Sequence, residues 1–359
     1  MSSTRIIGFD LARAYAIFGM YIVNFNIVFG NYHDPSPLGR FLSLFSGNSS
    51  TVFVILAGMG ISLMTNRPQY TPDEKRRLQT IVHKRGVFLV VAGLLLYLWW
   101  PADILHFYGG YMHVAALLLF VNKRLYLWTA LAVVIVFHVL LGVNPYQTGW
   151  DFTTLTYQDF WTVTGFLRNT LYNGWNAFFP WFAYFLLGMY LGRLNWTDRQ
   201  LQRKVFAIGL LVYSITTGVQ WLAVRLAMPE DLRFFLTADY LPPFLPFLVS
   251  TSGFALMLIT AFMYLGQHVA EKPWAVSLAA TGRMTLTHYI SHLTLGMLLL
   301  AWLTGQSYVG RVSSQAAATP LSILLFSVGY FAASCYLSKV WTKRFKNGPF
   351  ETLMRKVSG

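Results

Sequence analysis

Long stretches without a single Asp, Glu, Lys or Arg limit what this chain can fold into. They cover residues 86–102, 125–150, 169–192, 205–224, 240–270, 284–310 and 312–338. A helix needs roughly 20 mostly apolar residues to cross the hydrocarbon core of a bilayer. Inside lipid, only helices and closed barrels satisfy every backbone N–H and C=O. These runs are continuously apolar and lack the period-two alternation of a barrel strand. The expected fold is therefore all-α, a polytopic transmembrane helical bundle. Composition agrees: 11% of residues are charged, whereas a soluble domain carries about a quarter.

Ten spans are expected, near 11–30, 48–65, 85–100, 107–121, 125–141, 176–193, 205–226, 243–265, 284–303 and 320–338, forming one integral membrane domain over 1–359. The apolar run at 11–29 is too long for a signal-peptide core and ends without a small-residue cleavage site, so it reads as the first span. Residues 142–175 form a long loop, with 160–171 as a short interfacial helix. The lone cysteine, Cys335, falls in the last span and has no internal disulfide partner.

The net charge of +14 raises the question of nucleic acid, but its distribution answers otherwise. With ten spans, the segments on the side of the N-terminus hold 22 Lys and Arg and those on the opposite side hold 5. The positive-inside rule then places both termini in the cytoplasm, as in a multi-pass protein of the bacterial inner membrane. No nucleic-acid partner is expected. A share of the basic charge is available for anionic membrane lipid or an anionic cofactor.

The first span is the most informative segment. Asp10 and Arg13 stand three residues apart, on one helical face, and are expected to pair. Asn24 follows Arg13 by eleven residues, close to three turns, so it lies on that same face. A polar stripe along a membrane helix must face protein or a cavity. The plain reading is an ion pair plus one interhelical hydrogen bond; the alternative is a site. Just beyond, His33 sits in the turn-forming sequence Asn31-Tyr32-His33-Asp34-Pro35, either solvated or acting as a base or nucleophile near neutral pH. His106 and His113, seven apart, are expected at the same end of the bundle. His288 and His292 have the i, i+4 spacing of a metal pair, but no carboxylate joins them in that helix and no metal is expected. Gly188 and Gly192 form a GxxxG element, read as close packing within the bundle. Nucleophile elbows, Walker loops and dinucleotide fingerprints are absent from the sequence.

Four motifs in order carry a family resemblance. The first runs from Arg5-Ile6 through Asp10 and Arg13 to Val23-Asn24. The second runs from Pro180-Trp181-Phe182 to Gly188-Met189-Tyr190-Leu191-Gly192-Arg193. The third is Thr281-Gly282-Arg283-Met284-Thr285-Leu286-Thr287-His288-Tyr289, and the fourth is Gly348-Pro349-Phe350-Glu351. Together they resemble the YeiB-like bacterial membrane proteins, related to heparan-α-glucosaminide N-acetyltransferase in a transmembrane acyltransferase superfamily. Ala14 stands where that family often has Gly.

The resemblance implies transfer of an acyl group, acetyl above all, from cytoplasmic acetyl-CoA or another acyl-CoA to an extracytoplasmic acceptor such as a sugar amine or hydroxyl. It also implies that Asn24 and His33 are catalytic. His33 would take the acceptor's proton or carry the acyl group, and Asn24 would steady it or donate to the oxyanion. Arg13, Arg85 and Arg283, at cytoplasmic helix ends, would hold CoA phosphates. Asp10 and His288 complete that cofactor side. The loops 142–175 and 229–243, rich in aromatic residues, would shape a site for a carbohydrate-like acceptor. The competing readings are a transporter or flippase for a small solute or lipid-linked sugar, and a scaffold without activity. Oligomerisation is left open.

Overall fold

In a computed structural model the chain is described for residues 6–359, except 68, 227, 237–238, 309–311 and 313–315. Two of the cations counted above, Arg5 and Arg311, lie outside the described residues. The first half comprises α1 (Ile7–Phe29), α2 (Pro37–Ser43), α3 (Asn48–Leu63), α4 (Pro72–Tyr97), α5 (Leu105–Leu117), α6 (Lys123–Val143), α7 (Val163–Arg168) and α8 (Phe178–Leu191). The second half comprises α9 (Arg199–Arg225), α10 (Glu230–Leu236), α11 (Leu245–Val269), α12 (Pro273–Arg283), α13 (Thr285–Ser291), α14 (Met297–Thr304), α15 (Pro320–Trp341) and α16 (Pro349–Ser358). Among the described residues the only β-structure is a ribbon of two short strands, Trp150–Asp151 and Thr156–Tyr157, in the long loop after α6.

Helix starts follow local chemistry. Thr71 accepts from the Glu74 backbone N–H, and the Glu74 side chain accepts in return from Thr71, closing a capping box before Pro72. The Thr319 and Ser36 side chains accept the Ser322 and Gly39 N–H groups to cap α15 and α2 without the return bond, each followed by proline at the first helical position.

Among the described residues, eight segments are long and apolar enough to cross a membrane. The two other expected spans are shorter: α5 has 13 residues and α8 has 14. At 1.5 Å per residue neither covers the hydrocarbon core. Both are largely buried, and α8 packs between α3 and α6. By contrast, α6 and α9 turn Trp128, Leu131, Ile135 and Val139, and Ile208, Leu211 and Ile215, outward, as lipid-facing helices do.

Helix α1 is the core. In its apolar window 72% of residues are buried, against 17% in α6 and α9, and it touches α3, α11, α12 and α15. Glycines permit this closeness. A Cβ on Gly282 would lie 1.8 Å from the Asp10 carbonyl oxygen, and one on Gly188 would lie 2.0 Å from the Ile55 carbonyl. The GxxxG element is thus the contact between α8 and α3, as its packing reading holds.

Candidate functional site: two opposed cavities meeting at Tyr289

Two cavities enter the bundle from opposite ends and share one lining residue, Tyr289. The first, about 430 Å³, opens at the C-terminal end of α1. Asn24 and His33 both line it, so the structure brings the two residues proposed for chemistry into one space. The loop after α6 contributes Trp175 and Asn176, and the segment before α11 contributes Asp239 and Tyr240. Asn176 Nδ2 donates to the Tyr240 hydroxyl at 2.9 Å.

His33 is exposed, held in a turn in which its own N–H donates to Asn31 Oδ1 at 3.2 Å. Ser36, donating to Asp34, holds that neighbouring carboxyl below its usual range. Burial pushes the Asp239 carboxyl above its usual value, and the nearby His33 ring pulls it back. His33 therefore acts on the Asp239 carboxyl across this cavity.

Asn24 is fixed from behind. Its Nδ2 lies 2.9 Å from His292 Nε2, while His292 Nδ1 lies 3.1 Å from the His288 carbonyl oxygen. A carbonyl only accepts, so Nδ1 carries the proton. In the neutral ring Nε2 is then the acceptor, and the amide nitrogen of Asn24 must face it. The amide oxygen and the second amide hydrogen remain for the cavity. His292 opens a π-helical segment, His292–Gly296, between α13 and α14. Such bulges widen a helix and recur at functional sites. The i, i+4 histidine spacing was visible in the sequence, but the partner of His292 was not, because Asn24 is 268 residues away.

The second cavity, about 330 Å³, opens at the end bearing the start of α1. Arg13, Arg85 and Arg355 line it together with Gly60, Tyr108 and Thr285. Arg13 pairs with the buried Asp10 at 3.1 Å, as its spacing implied. Arg355 comes from α16 and is absent from the sequence-based assignment; its signal is the fourth motif. Gly348 leaves room that a Cβ would fill, at 2.2 Å from Glu351 Oε2, and Pro349 starts α16. Glu351 accepts the backbone N–H groups of Leu286 and Thr287 at 2.7 and 3.1 Å and the Thr287 hydroxyl at 2.5 Å. The third and fourth motifs therefore dock on each other, and the docking carries Arg355 to the cavity.

Two cofactor-side assignments do not converge there. His288 is one position from Tyr289, about 100° around the helix. It lines a separate groove between α13 and α15, where its Nε2 meets Ser338 Oγ at 2.7 Å. Arg283 ends α12 outside the lining, with its Nε buried and lacking a hydrogen-bond partner. The placement of His113 at the His33 end is also corrected. Helix α5 runs toward the opposite end, and seven residues advance about 10 Å, so His113 meets His83 of α4, with Nδ1 to Nδ1 at 3.1 Å. His106 is buried against Asp103 at 3.0 Å.

The wall between the cavities is itself anchored. The Tyr289 hydroxyl accepts the Ile104 N–H at 3.1 Å and donates to Asp103 Oδ1 at 3.4 Å. Asp103, fully buried, also accepts from His106.

An all-helical, multi-pass bundle with a basic cavity and an Asn- and His-lined cavity back to back defines the class: a polytopic membrane protein with a site open toward both ends. The chain belongs to the family described as heparan-alpha-glucosaminide N-acetyltransferase, catalytic, whose model matches residues 5–208. A second family model, described as protein of unknown function (DUF418), matches residues 191–359. The chain is 22% identical to the uncharacterized protein YeiB of Escherichia coli, over 99% of this chain and 96% of that protein. It is thus a YeiB-like member of that family.

Proposed function

We propose that the protein transfers an acyl group, acetyl above all, from acyl-CoA in the basic cavity to an amine or hydroxyl acceptor in the opposite one. The observation that carries this reading is the shared wall: a single side chain, Tyr289, lines both the arginine cavity and the cavity of Asn24 and His33. Arg13, Arg85 and Arg355 suit the phosphates of CoA, and the thioester end would reach toward Tyr289. The acceptor nitrogen or oxygen attacks the thioester carbon. His33 takes the acceptor's proton, the carbon–sulfur bond breaks, and CoA leaves as the thiolate. Asn24 accepts from the acceptor or donates its second amide hydrogen to the oxyanion. Asn176, Trp175 and Tyr240 suit a carbohydrate-like acceptor. The basic end then faces the cytoplasm of a bacterial inner membrane.

Protein in nanodiscs, given radiolabelled acetyl-CoA and glucosamine as the probe acceptor, should release CoA thiol and form labelled amide. His33→Ala should abolish transfer while acetyl-CoA still binds, and Arg85→Ala should weaken acetyl-CoA binding about tenfold. Absence of CoA release from the wild type with amine and hydroxyl acceptors alike, together with glucosamine counterflow in proteoliposomes, would favour a transporter.

A further inference from the structure

A third recess, about 650 Å³, lies at the basic end, apart from both cavities. It is walled by the turns after α3 and α5, the start of α4 and α6, and the turn after α8. Four cations line it: Arg67, Lys75, Lys123 and Arg193. Among the described residues no carboxylate lines it.

We propose that this recess binds a phosphate-bearing anion. Anchoring of basic loops in the membrane surface explains cations spread over the headgroups; it does not explain cations converging on one concavity. The convergence is built. Arg193 is clamped between two turns: its guanidinium donates to the Thr65 carbonyl and, at 2.7 Å each, to Thr65 Oγ1 and the Leu119 carbonyl. Arg67 lies over the Tyr70 ring at 4.4 Å and also pairs with Glu74 at 2.8 Å. Lys75 lies 5.7 Å from the centroid of the Phe120 ring. Tyr70 and Phe120 are themselves packed, 5.2 Å apart.

Lys123 occupies the first position of α6, where the helix dipole disfavours a cation. Neither Lys75 nor Lys123 has a carboxylate partner among the described ion pairs. An anion in the recess removes their mutual repulsion. A membrane phospholipid headgroup and a soluble phosphate offer the same chemistry.

The test is thermal stability of the full chain in phosphatidylcholine nanodiscs, titrated with inorganic phosphate, and separately in phosphatidylglycerol nanodiscs without added phosphate. At least one addition should stabilise the wild type, less so at high salt. Lys75→Gln with Lys123→Gln should weaken the response about 100-fold, tenfold for each cation removed. Arg76→Gln, with its exposed cation outside the lining, should leave it unchanged. A response to phosphatidylglycerol alone assigns the site to lipid, and a response to phosphate alone assigns it to a soluble ligand. No response to either, or an undiminished response in the double variant, overturns the proposal. Lys123→Gln alone, which removes a charge unfavourable to its own helix, provides the readout if the double variant fails to fold. The acetyl-CoA response, through Arg85, is a separate measurement.

Discussion

At the residue scale, Glu351 shows how one side chain holds two distant segments together. It terminates two orphan N–H groups at the start of α13 from a helix more than sixty residues later. Glu351→Ala should lower stability by roughly 2 kcal/mol, the worth of a cap made of charged hydrogen bonds, and calorimetry in detergent would read it. Its pH dependence has a defined sign. Burial pushes the Glu351 carboxyl up, against the pull of its hydrogen bonds from Thr287 and Leu286. A carboxyl raised in the fold contributes stability at low pH that fades as pH rises through its folded value. Wild type should therefore lose stability relative to Glu351→Gln as pH climbs through and above the ordinary carboxylate range. The opposite slope would mean that the hydrogen bonds outweigh burial. Asn24 and His33 were legible in the sequence as a polar stripe and the turn after it. His292 was legible only as half of a histidine pair, because its partner Asn24 lies 268 residues away, and Arg355 only through the fourth motif, whose docking on the start of α13 the sequence did not reveal.

At the scale of elements, glycines set how near α1 comes to its neighbours. Gly282→Ala would force a methyl group into the Asp10 carbonyl, and neither backbone has a side chain to yield. We expect α12 to move off α1, with a large loss of folded yield measured by size-exclusion chromatography. Gly142→Ala, where nothing lies within 4 Å of the added carbon, should leave yield unchanged. The motif Thr281-Gly282-Arg283 thus carries meaning at its glycine, while Arg283 ends outside the basic cavity. Periodicity and charge-free runs located the helices well. In the structure α5 and α8 are shorter than the spans expected for them, because apolar content alone does not distinguish a long helix facing lipid from a shorter one packed within protein.

At the scale of the whole molecule, the proposed transfer has the two cavities open to different compartments. Single cysteines placed near 75 and 350 in a Cys335-free background should label only from the cytoplasm, and those near 36 and 150 only from outside. Labelling of 36 and 75 from the same side would end the two-sided scheme. Tyr289→Ala removes the side chain common to both cavities and its bond to Asp103. A small maleimide added outside should then reach a cysteine at position 60, which lines the basic cavity, several-fold faster than in the parent. An unchanged rate would place the barrier elsewhere.

The position of Arg355 also bears on biosynthesis. The basic cavity draws one guanidinium from residue 13 and another from residue 355, so a ribosome must pass residue 355 before the pocket closes around its third charge. During translation the earlier helices enter the bilayer with that pocket open on one side. A half-made chain would then carry that cavity with two of its three guanidinium groups and without the wall that α16 supplies.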